Sequence, residues 1–393
     1  MKISIVLGSQ YGDEGKGSIT NWLTTQSSNP LVIRFNGGQQ ASHTVSKDGI
    51  LHSFSSIGSG ALNSVPTYWS KFCTFFPPGF NQEYDALIVK GCRPPKMFID
   101  PLAMLTTPFD IRVNRLEEFR TNHGSVGAGV GKTIWRHETL DHSFRIFAKD
   151  LKYEWILIEK LKAMVDLYGA EFDFNIDLFL KEVKIFLERV VIKDSSILHD
   201  YEHLIFEGAQ GILLDREHGI FPHVTRSHCT SKNAWEILKN EFSEKKIKNS
   251  TPEIYYISRC YQTRHGNGPL NGEHLWNESD LICNSQQNAG DVGELNLPGK
   301  FRYAPFYFPN INYALETDAQ YSSKFNPNIN IVVTCLDQVK DKIPILIDDD
   351  SVKYLTKNRF LSKLIEILPY NGLNRKIILS SSPDTSKIEI HEL

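Results

Sequence analysis

Gly8-Ser9-Gln10-Tyr11-Gly12-Asp13-Glu14-Gly15-Lys16-Gly17-Ser18 is the stretch that decides the fold. It follows a short apolar run, Ile3-Ser4-Ile5-Val6-Leu7, and precedes a helical pattern from Ile19 to Leu23. A glycine-rich turn between strand and helix wraps backbone N–H groups around phosphate oxygens, and the helix N-terminus adds positive potential. The segment departs from the consensus G-x-x-x-x-G-K-[ST]. Counting back from Gly15-Lys16, Gln10 stands where that pattern has its first glycine, and Gly17 where it has Ser or Thr. Two acids, Asp13 and Glu14, also lie where a phosphate is to sit. They are costly there unless a metal or a proton transfer uses them. A structural turn with a solvated Asp-Glu pair is the plain alternative. Four glycines, a lysine and two acids within eleven residues argue against it.

Working outward, the 393 residues suffice for one large or two medium domains. Hydrophobic content of 41% and charged content of 23% are those of an ordinary globular protein. A net charge of −3 gives no reason to expect nucleic acid, whose binding needs a basic face. The six cysteines (Cys73, Cys92, Cys229, Cys260, Cys283, Cys335) form no C-x-x-C pair and read as reduced thiols of a cytoplasmic protein. No run approaches a membrane span, and Ile3–Leu7 is too short for a signal-peptide core.

Apolar, β-rich runs recur at Ile3–Leu7, Leu31–Phe35, Ala86–Val89, His203–Phe206, Ile254–Ser258, Asn330–Thr334 and Lys376–Leu379. Between them, Trp155, Ile158, Leu161, Lys162 and Val165 fall at helical spacing, as do Ile176, Phe179, Leu180, Val183, Phe186, Leu187 and Val190. The alternation predicts an α/β fold: a mainly parallel central sheet covered by helices on both faces, a P-loop-like nucleotide-binding core with inserted subdomains. Residues 244–250 read as an exposed turn or helix end. Residues 68–83 and 267–309, rich in Pro, Gly and Asn, read as irregular.

Five further segments look chemical. Asn36-Gly37-Gly38-Gln39-Gln40-Ala41-Ser42-His43-Thr44 follows a strand, at the carboxyl edge where open α/β sheets bind ligands. The others are the glycine-dense Gly124–Gly131, then Glu207-Gly208-Ala209-Gln210-Gly211 with its continuation to Thr230, then Arg259–Pro269, and Thr334-Cys335-Leu336-Asp337. The last is similar to the [NT]-K-x-D signature that holds guanine, with cysteine for lysine. Singly, each has a dull reading: His43 as a packed histidine, Gln210 as a backbone partner, Asp337 as a helix cap, Arg302 in a surface pair. Their order and spacing carry the weight.

In that order the segments resemble adenylosuccinate synthetase. The family's G-x-Q-[WY]-G-D-E-G-K-G is matched at 8–17, and its G-G-x-N-A-G-H-T at 37–44 with Gln40 for Asn and Ser42 for Gly. Its F-E-G-A-Q-G…L-L-D…H-G…P-x-V-T is matched at Phe206–Gly211, Leu213–Asp215, His218–Gly219 and Pro222–Thr225, and its T-R-x-G-x-G-P at Thr263–Pro269. The resemblance implies one such domain over residues 1–393. It implies a carbon–nitrogen ligase joining L-aspartate to C6 of a purine nucleoside monophosphate, with GTP or ATP consumed through a 6-phosphoryl intermediate and Mg²⁺ as cofactor. It further implies that Asp13 removes the N1 proton and ligates Mg²⁺ together with the carbonyl of Ser42. His43 donates toward the transferring phosphoryl group. Gly12, Gly15, Lys16, Gly17, Ser42 and Thr44 hold the triphosphate. Gln40 and Gln210 orient the acceptor, with Gln210 in the catalytic set. Ser125, Val126, Thr225, Arg226 and His265 also line the acceptor site, Lys300 and Arg302 bind aspartate, and Asp337 takes the base of the triphosphate. A homodimer in the cytoplasm (the host's, for a phage-encoded chain) is expected, with Arg136 or Arg145 as the arginine reaching a neighbouring site.

The departures gather around the acceptor and the aspartate loop. Ser125-Val126-Gly127-Ala128 stands for the usual Thr-Thr-Gly-Arg, Arg226 for a serine, His265 for a valine, and Leu297-Pro298-Gly299-Lys300-Phe301-Arg302-Tyr303 for T-T-G-R-R-R-R. The pattern is similar to the divergent phage-type branch, which includes 2-aminoadenylosuccinate synthases taking dGMP on the way to 2-aminoadenine (diaminopurine) DNA. That resemblance favours dGMP as acceptor. Retention of Asp13, which many phage members replace, argues for the alternative, IMP with GTP. A GTP-binding switch is the reading from another class; Gly17 and the Asp13-Glu14 pair argue against it.

Overall fold

The computed structural model describes residues 1–121, 123–169, 174–276, 301–348, 351–367 and 375–393. Among these, ten strands form one sheet. In spatial order they are Ile388–Glu392, Arg375–Ser380, Asn328–Thr334, Glu253–Arg259, Lys2–Gly8, His203–Glu207, Pro30–Arg34, Thr67–Trp69, Met97–Ile99 and Val190–Ile192. Every neighbouring pair is parallel except the edge pair formed by the last two strands of the chain. The fold is the predicted α/β class.

The run Ile3–Leu7 is apolar on both faces, apart from Ser4, because both of its faces are covered. Val6 faces Ile19 and Leu23 of the helix Lys16–Thr24, together with Ile205, Ile257 and Val332. Ile3, Ile5 and Leu7 face the opposite layer, where Trp235, Leu238, Ile311 and Ala314 pack from the helices Lys232–Glu241 and Phe308–Ser322. A second apolar cluster lies beside the short-stranded edge, where Phe75, Phe80, Leu161, Phe179 and Phe186 join the helices Pro77–Val89, Glu154–Tyr168 and Ile176–Arg189.

Strand order positions the site. Lys2–Gly8 lies mid-sheet, with later strands added on both sides. At such a reversal the loops at the strands' carboxyl ends diverge and leave a crevice. Five loops open there, after Gly8, Arg34, Glu207, Arg259 and Thr334.

Several sequence expectations need correction. Ala86–Val89 is not a strand but the last turn of the helix Pro77–Val89. A four-residue apolar run does not distinguish the two states. The prolines in the helix's first turn set the helix, and the run is one-sided, with Leu87 buried and Val89 87% exposed. Residues 68–83, read as irregular, hold the strands Thr67–Trp69 and Thr74–Phe75 and the start of that helix. Trp155, placed at a core-facing spacing, is 68% exposed. Glu244–Asn249 is a short helix capped by Ser243. Three-residue strands at 67–69, 97–99 and 190–192 are too short to show a period.

Candidate functional site

The loop after the first strand separates its two acids. Glu14 turns inward: the Gln10 amide donates to Oε1 at 2.7 Å, and Lys16 Nζ lies 3.8 Å from Oε2, both side chains being buried. Burial pushes the Glu14 carboxyl up to about 7 against the pull of Lys16. A Cβ on Gly8 would lie 2.1 Å from Glu14 Oε2, so the glycine at 8 exists to admit this carboxylate. Asp13 turns outward at φ 54°, and its Oδ2 lies 3.2 Å from His265 Nε2. Burial would raise the Asp13 pKa. The hydrogen bond and charge of His265, with Arg259 and Lys16, outweigh burial and hold it below the usual carboxylate range. Arg259 also donates from Nε to the Asp13 carbonyl. Gly15 (φ 86°) caps the helix Lys16–Thr24, whose N-terminus opens on the crevice.

His43 begins the hairpin His43–Lys47/Ile50–Phe54, which stands off the sheet against that helix. Its Nδ1 lies 2.6 Å from Oε1 of Glu207, the last residue of the neighbouring central strand. Glu207 is fully buried and also accepts from the Ser59 amide at 3.1 Å and from the Ser59 hydroxyl. Burial alone would raise its pKa; His43, Arg34 and Ser59 bring it down to about 2. Burial lowers the His43 pKa, Glu207 opposes, Arg34 and Lys16 add to burial, and the net shift is downward. The pair is therefore a carboxylate accepting Nδ1–H from a neutral imidazole, with Nε2 as the second ring nitrogen.

A cleft of about 1250 Å³ joins these groups. Its walls carry Gly12, Asp13, Gly15, Lys16, Gly17, Gln40, Ser42, His43 and Thr44 from the first two loops. Ser125, Val126, Gln210, Thr225, Arg226 and His265 also line it, as do Cys335 and Asp337. Three non-glycine residues on these walls, Asp13, Gln210 and Cys335, hold a left-handed backbone (φ 54°, 65° and 62°). Such strain concentrates where side chains must be aimed. Thr334 Oγ1 donates to the Glu14 carbonyl at 2.8 Å and ties the segment before Cys335 to the first loop.

The wall carrying Ser125, Val126 and Arg226 is looser. Ser125 Oγ lies 3.2 Å from Asn114 Oδ1 and accepts from the Gly127 amide at 3.1 Å, while Val126 is half-exposed. Arg226 is half-exposed, 3.9 Å from Glu138. Gly124 and Gly266 pack backbone to backbone: a Cβ on Gly124 would lie 2.1 Å from the Gly266 Cα.

The structure does not gather every expected residue. Arg302 is not on the cleft wall. Its Nε and Nη2 hold Glu273 side-on at 2.7 and 2.5 Å, and Nη1 donates to the carbonyls of Gly266 and Gly268. Lys300 lies outside the described residues. Arg136 is corrected as an arginine reaching a neighbour: it is fully buried, paired with Asp110 at 2.8 Å and bonded to the carbonyls of Leu105 and Phe144. Arg145 donates to the Leu140 carbonyl. Sequence reasoning missed the role of Glu207 toward His43, of Arg259 toward Asp13, and the stacked His123–His223 pair on the cleft wall. Glu207 and Arg259 lay inside quoted segments, but a contact across 164 residues leaves no spacing to read.

The sequence profile described as adenylosuccinate synthetase matches residues 5–294. The chain belongs to the adenylosuccinate synthetase family. Adenylosuccinate synthetase of Caldanaerobacter subterraneus subsp. tengcongensis is 30% identical over 296 residues, 69% of this chain and 65% of that protein. The Lawsonia intracellularis enzyme is 32% identical over 292 residues, 68% and 64%. The chain thus spans just under two thirds of the length of these relatives. Among solved structures, fully ligated adenylosuccinate synthetase from Plasmodium falciparum superposes with a TM-score of 0.74 at 15% identity, covering 100% of both chains. Succinoaminodeoxyadenylate synthetase of cyanophage S-2L, bound to dGMP and dATP, gives 0.64 at 13% identity, covering 99% of this chain and 95% of that one. At these identities the likeness is one of fold. No helix among the described residues is long and apolar enough to cross a membrane.

Proposed function

We propose that the chain, acting as one domain over residues 1–393, is a ligase that joins L-aspartate to C6 of a 6-oxopurine nucleotide at the expense of a nucleoside triphosphate. The observation that carries this reading is the placement of Asp13 and His43 on one cleft wall, each oriented by a dedicated partner, beside the helix N-terminus at Lys16. O6 is a poor leaving group, and phosphorylating it makes one that the aspartate amine displaces. Asp13 takes the N1 proton, which turns O6 into a nucleophile. Gly12, Gly15, Lys16, Gly17, Ser42 and Thr44 cradle the triphosphate, a task of positioning and charge neutralisation. His43 donates from Nε2 toward the γ-phosphoryl group. Incoming phosphate charge and Glu207 on Nδ1 both favour the doubly protonated ring this requires, against the burial that keeps it neutral in the free protein. Gln40 and Gln210 orient the acceptor base, Ser125, Val126, Thr225 and Arg226 meet its phosphate, and Asp337 accepts from the donor base. Arg302 binds aspartate by exchanging the Glu273 carboxylate for the substrate's; Lys300 belongs to the same proposal.

The Asp13 carboxylate and the Ser42 carbonyl are hard oxygen donors that fit Mg²⁺, which takes few protein ligands and completes its shell with phosphates and water. No group of three or more His, Cys, Asp or Glu side chains among the described residues could hold a metal ion by itself. When bound, the ion would neutralise charge developing on the transferred phosphoryl group.

For the acceptor we favour dGMP. The departures at Ser125-Val126 and Arg226 lie on the cleft wall, and the cyanophage protein of the same fold binds dGMP. IMP is the second reading, favoured by the retained Asp13. A mass-spectrometric assay with IMP, GMP, dGMP and dIMP, each with aspartate and GTP, ATP or dATP, tests the proposal. A succinyl nucleotide formed only when aspartate, acceptor and triphosphate are all present supports it. Triphosphate hydrolysis without aspartate or acceptor would replace it with a switch protein, and turnover of IMP with none of dGMP would reverse the acceptor choice.

A further inference from the structure

We propose that His265 sets which 6-oxopurine the ligase accepts, by holding one oxygen of the Asp13 carboxylate. The inference rests on the reading of Asp13 as the group facing purine N1. His265 Nε2 lies 3.2 Å from Asp13 Oδ2, and both residues line the cleft. Neither partner swings freely. The Asp13 backbone is held at φ 54° with its carbonyl bonded to Arg259. The His265 ring meets Phe301 edge-on at 4.5 Å, and Gly266 after it is packed against the Gly124 backbone.

A carboxylate with both oxygens available matches two parallel N–H donors, as in side-on pairing with a guanidinium. The guanine edge presents two such donors, N1–H and N2–H. Hypoxanthine presents N1–H alone. With Oδ2 shared with an imidazole, Oδ1 alone is left to face the purine edge, where it also serves the proposed Mg²⁺. The one-donor edge loses nothing by this arrangement, whereas the two-donor edge forfeits one charge-assisted bond to Asp13. His265 therefore restrains the preference for a guanine nucleotide, whichever acceptor the protein uses faster. The common family pattern has valine at this position, which offers no donor to Oδ2.

The test is kcat/KM for dGMP and for IMP in wild type, His265→Val and His265→Gln. Glutamine puts an amide N–H near the place of imidazole Nε2 and keeps Oδ2 engaged; valine frees it. The dGMP-to-IMP ratio is expected to rise about tenfold in His265→Val, the worth of one charge-assisted hydrogen bond, and to return near the wild-type value in His265→Gln. Because both acceptors are measured on one protein, a general loss of activity cancels from the ratio. His265→Ala serves as a second donor-free variant if the valine protein does not fold. A ratio unmoved in the donor-free variants, or moved equally by glutamine, overturns the inference while leaving the ligase reading intact. A wild-type protein that converts neither nucleotide overturns both.

Discussion

The two ends of the cleft are built differently. At the end holding Lys16 and His43, the side chains are buried and held by one another: Glu14 and Lys16 as an ion pair, His43 by a hydrogen bond to Glu207, and Glu207 by the Ser59 hydroxyl. At the acceptor end, Val126 and Arg226 are half-exposed, and the contacts of Ser125 are long. The first end matches the family pattern almost residue for residue, and the second departs from it. A chemical step common to all substrates tolerates little movement in its groups, because each is wedged against the next. A binding wall made of exposed loops can be re-cut one side chain at a time. Under the proposed roles, selection and chemistry sit in regions of different mechanical freedom.

That contrast can be broken most sharply at the buried end. Asp13→Ala and His43→Ala should each cost ~10²–10⁴ in turnover with the fold intact by circular dichroism; near-normal rates would remove them from the chemistry. Glu207→Gln should cost less, on the order of 10²-fold in kcat, because it misaims the imidazole without deleting it. KM values should stay within about twofold, and a change confined to KM would make Glu207 a binding residue. At the looser end, Arg226→Ala should raise KM for the acceptor monophosphate about tenfold with kcat nearly unchanged. A fall in kcat instead would erase the distinction between the two ends.

The smallest effect lies at the opposite edge of the sheet. His203 is fully buried, with Nε2 2.9 Å from Ser4 Oγ and Nδ1 3.1 Å from Ser27 Oγ. Burial, with Lys2, lowers its pKa from 6.5 to about 3. Folding therefore favours the neutral ring, so this contribution to stability is complete above pH 6.5 and is lost as pH falls toward about 3. His203→Gln should make the acid-side fall in Tm shallower by about 2 °C at pH 5. Parallel Tm–pH curves for the two proteins would dismiss the assignment.

What was legible in the sequence follows from range. The central strands were readable because burial on both faces makes them continuously apolar, and the loop at 8–18 because its chemistry is contiguous. Ala86–Val89 misled because four apolar residues carry no period, and the helix is set by Pro77 and Pro78 upstream. The inward turn of Glu14 was not legible, since neighbouring acids look alike until one finds Gln10 and Lys16. The couplings of His43 to Glu207 and of Asp13 to Arg259 and His265 exist only through strand pairing, and no local pattern announces them.

The strand His203–Glu207 lies between Lys2–Gly8 and Pro30–Arg34. The loops bearing residues 13 and 43 therefore follow strands that never touch in the sheet; a later piece of chain is the wedge between them. It brings, on its final residue, the carboxylate that aims the imidazole. During synthesis, then, the growing polypeptide holds an unaimed acid group until residue 207 has emerged and slotted into place.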